Sequence, residues 1–122
     1  MTKKRWLYIS GPYTLGDPAL NVRNAVRVAE VVRAAGHVPV VPHLSHLWHL
    51  ISPHEWEYWI AMDLDLLERC DGMIRIAGES RGAWLEHRRA VELGLTVLHV
   101  RPDWDNTDGL LESTDWNARS KP

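Results

Sequence analysis

Short apolar runs and helix-periodic segments take turns along this chain, and that alternation limits its possible folds more than any other feature. Trp6 to Ser10 is an apolar run stopped by Gly11-Pro12. Asn21 to Ala35 carries Val22, Ala25, Val26, Ala29, Val31 and Val32 at helical spacing, with Gly36 placed as a stop. Val38 to Val41 reads as a second strand, and Pro39 within it argues for an edge or a strand start. Pro42 to Pro53 is a His- and Leu-rich connection with no clean period. Glu55 to Arg69 reads as a helix, with Ser52, Pro53 and Glu55 as a capping arrangement. Gly72 to Ala77 is a third strand, and Gly82 to Leu93 a third helix closed by Gly94. Leu95 to Val100 is the fourth strand, an almost continuous apolar run of the kind central parallel strands show.

Strand and helix in strict alternation imply right-handed β-α-β units and a parallel sheet covered on both faces. The expected fold is therefore α/β: a single-domain Rossmann-like or flavodoxin-like three-layer sandwich with a parallel sheet of four to five strands. The domain is expected over 1–101, and 102–122 reads as a polar, loosely ordered tail. Its large apolar residues, Trp104, Leu110, Leu111 and Trp116, could dock on the chain's own core or on a neighbour. In such sheets ligands bind beyond the carboxyl ends of the strands, where the strand order reverses. Three segments follow those ends: Ser10 to Thr14, Pro42-His43, and Gly78 to Gly82. They are expected to share one cleft.

Composition narrows the function classes. A length of 122 residues gives one domain with a proper core. The net charge of −2 provides no general pull toward a nucleic-acid polymer or an anionic membrane. Lys3-Lys4-Arg5 is too short for a nucleic-acid arm, and Trp6 to Ser10 is too short for a signal core or a membrane span. Cys70 is the single cysteine, so no internal disulfide forms and a reducing cytoplasm fits.

Chemistry concentrates in Ser80-Arg81-Gly82-Ala83-Trp84-Leu85-Glu86. A strand that ends in a glycine-bearing turn and enters a helix presents backbone N–H groups to an anion. It also aims Glu86 about one and a half turns into that helix. Read alone, Glu86 could equally be a solvated residue pairing with Arg88 or Arg89. Gly11-Pro12-Tyr13-Thr14 is neither a dinucleotide fingerprint nor a Walker loop, and by itself it is a tight turn. Asp63 and Asp65 lie two residues apart and point away from each other, so one belongs near the cleft and the other in solvent. Asp71 sits at a helix end that disfavours an acid, which hints at a purpose, although a polar turn residue explains it too. His43, His46, His49 and His54 could bring two imidazoles together on a helix. The run holds no Cys, Asp or Glu to complete a metal site, and H-E-x-x-H is absent, so no metal ligand is assigned.

Taken in order, Y-I-S-G-P-Y-T, then A-x-x-x-x-x-A-G-H, then M-D-L-D-L-L-E-R-C-D, then S-R-G-A-W-L-E-H-R-R-A-V-E-L-G, the chain resembles the nucleoside 2-deoxyribosyltransferase-like superfamily. That superfamily includes the nucleoside 5′-monophosphate N-glycosidases, and the resemblance runs over roughly residues 6 to 100. It implies that Glu86 is the nucleophile toward the sugar C1′, that Tyr8 positions it, and that Asp63 lies near base and sugar. Ser80 matches a phosphate-binding serine of the monophosphate hydrolases; the transferases can carry an Asp there. Gly82, Gly11, Tyr13, His43 and Asp71 are the further candidate substrate-binding residues. The first loop departs from the phosphohydrolase pattern, with Pro12 and Thr14 where well-known members place Ser and Arg. Tyr13, Trp48 and Trp56 are aromatic candidates for stacking on a base.

The function implied is N-glycosidic cleavage of a (deoxy)nucleoside 5′-monophosphate with release of free base, without metal or cofactor. The alternatives are base exchange by a deoxyribosyltransferase and a non-catalytic nucleotide-binding module. The partner is a small-molecule nucleoside or nucleotide, and the resemblance implies a homodimer or larger assembly.

Overall fold

A computed structural model describes residues 3–117, so the outermost parts of the expected domain and tail, 1–2 and 118–122, lie outside the described residues. Four strands form one parallel sheet: β1 (Trp6–Ser10), β2 (Val38–Val40), β3 (Gly72–Ile76) and β4 (Thr96–Val100). Their order is β2-β1-β3-β4, so the chain moves to one side of β1 and then returns to the other. That reversal between β1 and β3 is the switch point of a doubly wound α/β sheet.

Helix α1 (Pro18–Ala34) begins three residues earlier than its apolar stripe predicts. Asp17 caps it, accepting from the amides of Ala19 at 3.0 Å and Leu20 at 3.4 Å, and Pro18 fits the first turn, where no N–H is needed. Its buried stripe is Ala25, Val28, Ala29 and Val32, while Val26, expected within it, is exposed. Gly36 has φ +92°, the left-handed conformation a helix stop requires. Pro39 sits in β2 at the sheet edge, where a missing donor is tolerated.

The connection after β2 is more regular than its sequence. A 3-10 turn (Pro42–Leu44) leads into a short helix, α2 (Ser45–Ile51), none of whose residues is buried. Helix α3 covers Trp56–Glu68. The expected Ser52–Glu55 capping arrangement does not form: Glu55 is itself the cap residue, without a side-chain bond, and Ser52 closes α2. Helix α4 (Arg81–Glu92) starts at Ser80, and a last turn of helix, α5, spans Leu110–Ser113.

Alternation along the strands sends their side chains to two faces. Leu7, Ile9, Ile74 and Ile76 meet α1 on one face. Tyr8 and Met73 meet Leu67, Cys70, Ala90 and Leu95 on the other, under α3 and α4. β4 corrects the sequence reading. It is an edge strand, and its apolar run is covered by α4 and by the segment after it. That segment is not loose: Trp104, Leu111 and Trp116 are buried in the α1-side core, whereas Leu110 is exposed. Trp116 Nε1 donates to the Leu111 carbonyl at 3.1 Å, and Thr96 Oγ1 donates to the Asp115 carbonyl at 3.1 Å. Among the described residues, no helix is long and apolar enough to cross a membrane.

Candidate functional site

The three loops at the carboxyl ends of β1, β2 and β3 do meet, and they enclose a cleft with α3. The first loop supplies Gly11, Tyr13 and Thr14, and the 3-10 turn supplies Pro42 and His43. Trp56, Trp59, Ile60 and Asp63 come from α3, and Ser80, Gly82 and Glu86 from the start of α4.

Period-two geometry builds the floor. Tyr8 and Ser10 lie on one face of β1, and α4 crosses that face so that Glu86 lies against both. The Tyr8 hydroxyl donates to Glu86 Oε2, and Ser10 Oγ donates to Oε1 at 2.8 Å. Glu86 is only 4% exposed, so the solvated alternative does not hold; Arg88 and Arg89 pair instead with Glu92 at 3.8 and 3.9 Å. Burial raises the Glu86 carboxyl to about 8. The two hydroxyl donors and the charge of Arg75 oppose that rise, and Asp63 adds to it. Burial, followed by the Glu86 charge, pushes the Tyr8 phenol well above its ordinary value, which leaves it a donor.

Asp63 faces the cleft from α3 while Asp65 is exposed, as their spacing requires. Burial raises Asp63 to about 7, and its Oδ1 has no hydrogen-bond partner among the described residues. Around neutral pH these two carboxyls hold close to one proton between them. One can donate a proton while the other acts as a base or nucleophile.

The helix start is organised by Ser80, whose Oγ accepts from the Ala83 amide at 3.2 Å. That leaves the hydroxyl proton free to turn toward a ligand. Gly82 lies two residues on, within the first turn of α4, and a Cβ there would meet Ile60 Cδ1 at 3.7 Å, an ordinary contact. Gly11 is tighter: a Cβ would come to 3.0 Å from Ile76 Cβ. Tyr13 is tied to α2 by a 2.6 Å hydrogen bond between its hydroxyl and His46 Nδ1, and its carbonyl accepts from Asn21 at 2.9 Å. His43 is buried, and its Nε2 lies 2.9 Å from the Pro12 carbonyl. A carbonyl only accepts, so Nε2 carries the hydrogen, and burial lowers the imidazole pKa and favours the neutral ring.

Asp71 is not brought to the cleft. It precedes β3 at the amino end of the sheet, where its Oδ2 accepts from the Trp6 amide at 2.8 Å. Tyr8 lies behind Glu86 and reaches the cleft only through that carboxyl. Of the stacking candidates, Tyr13 and Trp56 line the cleft, whereas Trp48 packs on Trp59 with ring centroids 5.0 Å apart. His49 and His54 gather around Trp59 instead: His49 Nδ1 accepts from Trp59 Nε1 at 2.9 Å and from the His54 amide at 3.3 Å, and the His54 ring lies against Tyr58 and Trp59. Among the described residues, no three His, Cys, Asp or Glu side chains are grouped to share a metal ion.

The sequence reading names neither Trp59 nor Ile60, and it holds Ser10 and Arg81 only as members of the cleft loops, with no role of their own. Ser10 was within reach, since it lies two residues beyond Tyr8 on the same strand face. Arg81 stacks its guanidinium over the Trp56 ring, 4.5 Å from the centroid, a contact between α4 and α3 that no local pattern announces.

Fold and site together define a doubly wound α/β protein with a paired-carboxyl cleft at its switch point. The chain belongs to the family described as Domain of unknown function (DUF7768), whose model matches residues 5–100. No curated protein matches it in sequence. Among solved structures it is similar to the 2-deoxyribosyltransferase of the psychrotolerant bacterium Bacillus psychrosaccharolyticus, with a TM-score of 0.61 and 21% identity. The alignment covers 92% of this chain and 88% of that one, so the two share a fold over nearly their whole lengths.

Proposed function

We propose that this protein cleaves the N-glycosidic bond of a (deoxy)nucleoside 5′-monophosphate, with Glu86 as the nucleophile at C1′. The observation that carries the reading is a buried glutamate bound through both oxygens, by Tyr8 and Ser10, in a cleft it shares with Asp63. A carboxylate in that position either stabilises or traps an oxocarbenium-like transition state.

In the first step a Glu86 oxygen bonds to C1′ and the C1′–N bond breaks. The bonding pair leaves with the base, which takes the proton held by Asp63. In the second step water attacks C1′, the ester bond breaks back to the Glu86 carboxylate, and the water's proton returns to Asp63. The products are free base and a sugar phosphate. Ser80 and the start of α4 take the 5′-phosphate, because a hydroxyl beside backbone N–H groups suits a dianion that an acid would repel. Gly11, Tyr13 and His43 wall the sugar and base.

Base exchange is the second reading, favoured by the fold shared with a 2-deoxyribosyltransferase. In it a second base replaces water at C1′. The single Cys70 supports action in a reducing cytoplasm. The exposed apolar residues of α2, Leu47, Leu50 and Ile51, support a homodimer or larger assembly.

The test is incubation with a panel of nucleosides and 5′-monophosphates, with and without an acceptor base, followed by chromatography. Free base from monophosphates without acceptor is the expected result. Exchange that requires an acceptor moves the assignment to the transferase. Ligand-induced thermal stabilisation with every substrate left intact leaves only a binding module.

A further inference from the structure

The β1–β3 pairing sets Ser10 beside Arg75, at the carboxyl ends of the two central strands. Ser10 lies within the Y-I-S-G-P-Y-T motif but carries no role there, and Arg75 lies outside the motifs that pointed to Glu86. Ser10 is fully buried and donates to Glu86 Oε1 at 2.8 Å, on the side of the carboxyl that Tyr8 does not reach. Arg75 is an unusual occupant of a central strand, because a half-buried guanidinium loses hydration that only partners can replace. Its Nη1 donates to the Ile76 carbonyl, and its Nη2 to the Gly78 carbonyl at 2.9 Å. Those carbonyls satisfy donors but do not balance a charge. The opposing charge that acts on Arg75 is that of Glu86. The same two bonds tie the guanidinium to the turn that carries Ser80 and the start of α4.

We propose that Ser10 and Arg75 are positioning residues that form a second polar support for Glu86, independent of Tyr8, fixing its carboxylate in the floor of the cleft and balancing its charge. The support is built from both central strands, so it holds the carboxyl whether or not substrate is bound. Its catalytic meaning rests on the reading of Glu86 as nucleophile given above. Tyr8 and Ser10 from β1 hydrogen-bond to Glu86, and the charges of Asp63 on α3 and Arg75 on β3 act on it. The charge of Arg75 also acts on His87 of α4, and its register partner on β4 is His99. Only Asp63 among the neighbours of Glu86 opposes its ionisation, and Ser10 and Arg75 stand against it together with Tyr8.

The experiment titrates Glu86 directly. Protein labelled with 13C-glutamate gives a side-chain carboxyl resonance for Glu86, assigned as the one lost in Glu86→Gln. Its midpoint is followed in the parent, Ser10→Ala, Arg75→Met and Arg75→Lys, each checked for folding by circular dichroism. Removing a donor or an opposite charge disfavours the ionised form, so the midpoint moves up by about one pH unit in Ser10→Ala and Arg75→Met. Arg75→Lys keeps the charge and recovers most of that shift. The acid limb of kcat/KM on a nucleoside 5′-monophosphate moves by the same amount. A Glu86 midpoint unchanged in both Ser10→Ala and Arg75→Met overturns the inference. Should Arg75→Met not fold, an unchanged midpoint in Ser10→Ala overturns it alone. Activity that survives in Glu86→Ala sinks the catalytic reading, while the titration still decides whether Ser10 and Arg75 support this carboxyl.

Discussion

Tyr8 and Glu86, 78 residues apart in sequence, meet in a buried hydrogen bond between the phenol and Oε2 that joins β1 to α4. A neutral donor held against a carboxylate orients it and favours its charged form. Tyr8→Phe keeps the ring packing and removes only the donor, so base release should fall by about 10- to 100-fold, the worth of one charge-assisted bond. Glu86→Gln, which cannot bond covalently to C1′, should lower it by about a thousandfold or more. Chromatographic assay of released base checks both. A Tyr8→Phe enzyme as active as its parent would show that the bond is dispensable.

The proposed division of protons fixes a pH profile. Glu86 must be ionised, and its carboxyl titrates at about 8; Asp63 must carry a proton, and it titrates at about 7. Because Asp63 ionises first, the productive form is the minor share of the one-proton state, and that state is fullest between pH ~7 and pH ~8. The expected kcat/KM curve is a bell centred between these two values. In Asp63→Asn the alkaline limb should disappear while the acid limb stays, which initial rates across the neutral range would reveal.

The same acids cost stability, and the sign follows from proton counts. Asp63 titrates near the ordinary carboxyl value of 3.8 when unfolded and at about 7 when folded. Between those values the folded state holds more protons than the unfolded state, so stability falls as pH rises through the window. The loss reaches up to about 4 kcal/mol. Asp63→Asn should remove it, giving a variant more stable than the parent above pH ~7, with the advantage shrinking toward pH ~4. Urea melts at both ends of the window test this. An equal advantage at every pH would contradict it.

Gly72 is a steric demand. A Cβ on it would lie 2.4 Å from Trp116 Cε3 and 3.3 Å from Leu7 Cδ2. Gly72→Ala should push the indole out of its seat and destabilise the fold by about 1–3 kcal/mol, the usual cost of overpacking. Trp116→Ala, which empties the seat, should cost about 3–5 kcal/mol. Chemical denaturation measures both, and indole fluorescence shows whether Trp116 has moved.

What could be read from the sequence followed burial. Tyr8, Asp63, Ser80 and Glu86 were identifiable because short motifs recur in a fixed order, and strand ends in an alternating pattern converge at a switch point. Helix α2 was not identifiable. Periodicity reports which residues are covered, and α2 covers none of its own. The Leu95–Val100 run misled for the opposite reason: α4 and the Trp104–Trp116 segment bury its two ends and partly cover Val97 and Leu98, so an edge strand carries a central strand's composition. Asp71 was singled out by a helix-end argument, yet its carboxylate is used by the Trp6 amide at the far end of the sheet. Contacts such as Arg81 on Trp56 depend on how two helices happen to meet, and no spacing rule contains that.

Trp116 fills the space beside Gly72, and nearby Asn117 Oδ1 accepts from Arg5 Nη2 at 2.6 Å. The sheet thus gathers residues 5 and 117 at its amino edge, opposite the cleft. A short linker joining residue 117 directly to residue 5 across that edge, with a new opening at the exposed Gly16, would give a circular permutant with the same core. The same layout means that a surface or a fusion partner joined beside residue 5 or residue 117 lies behind the molecule, with the cleft facing outward.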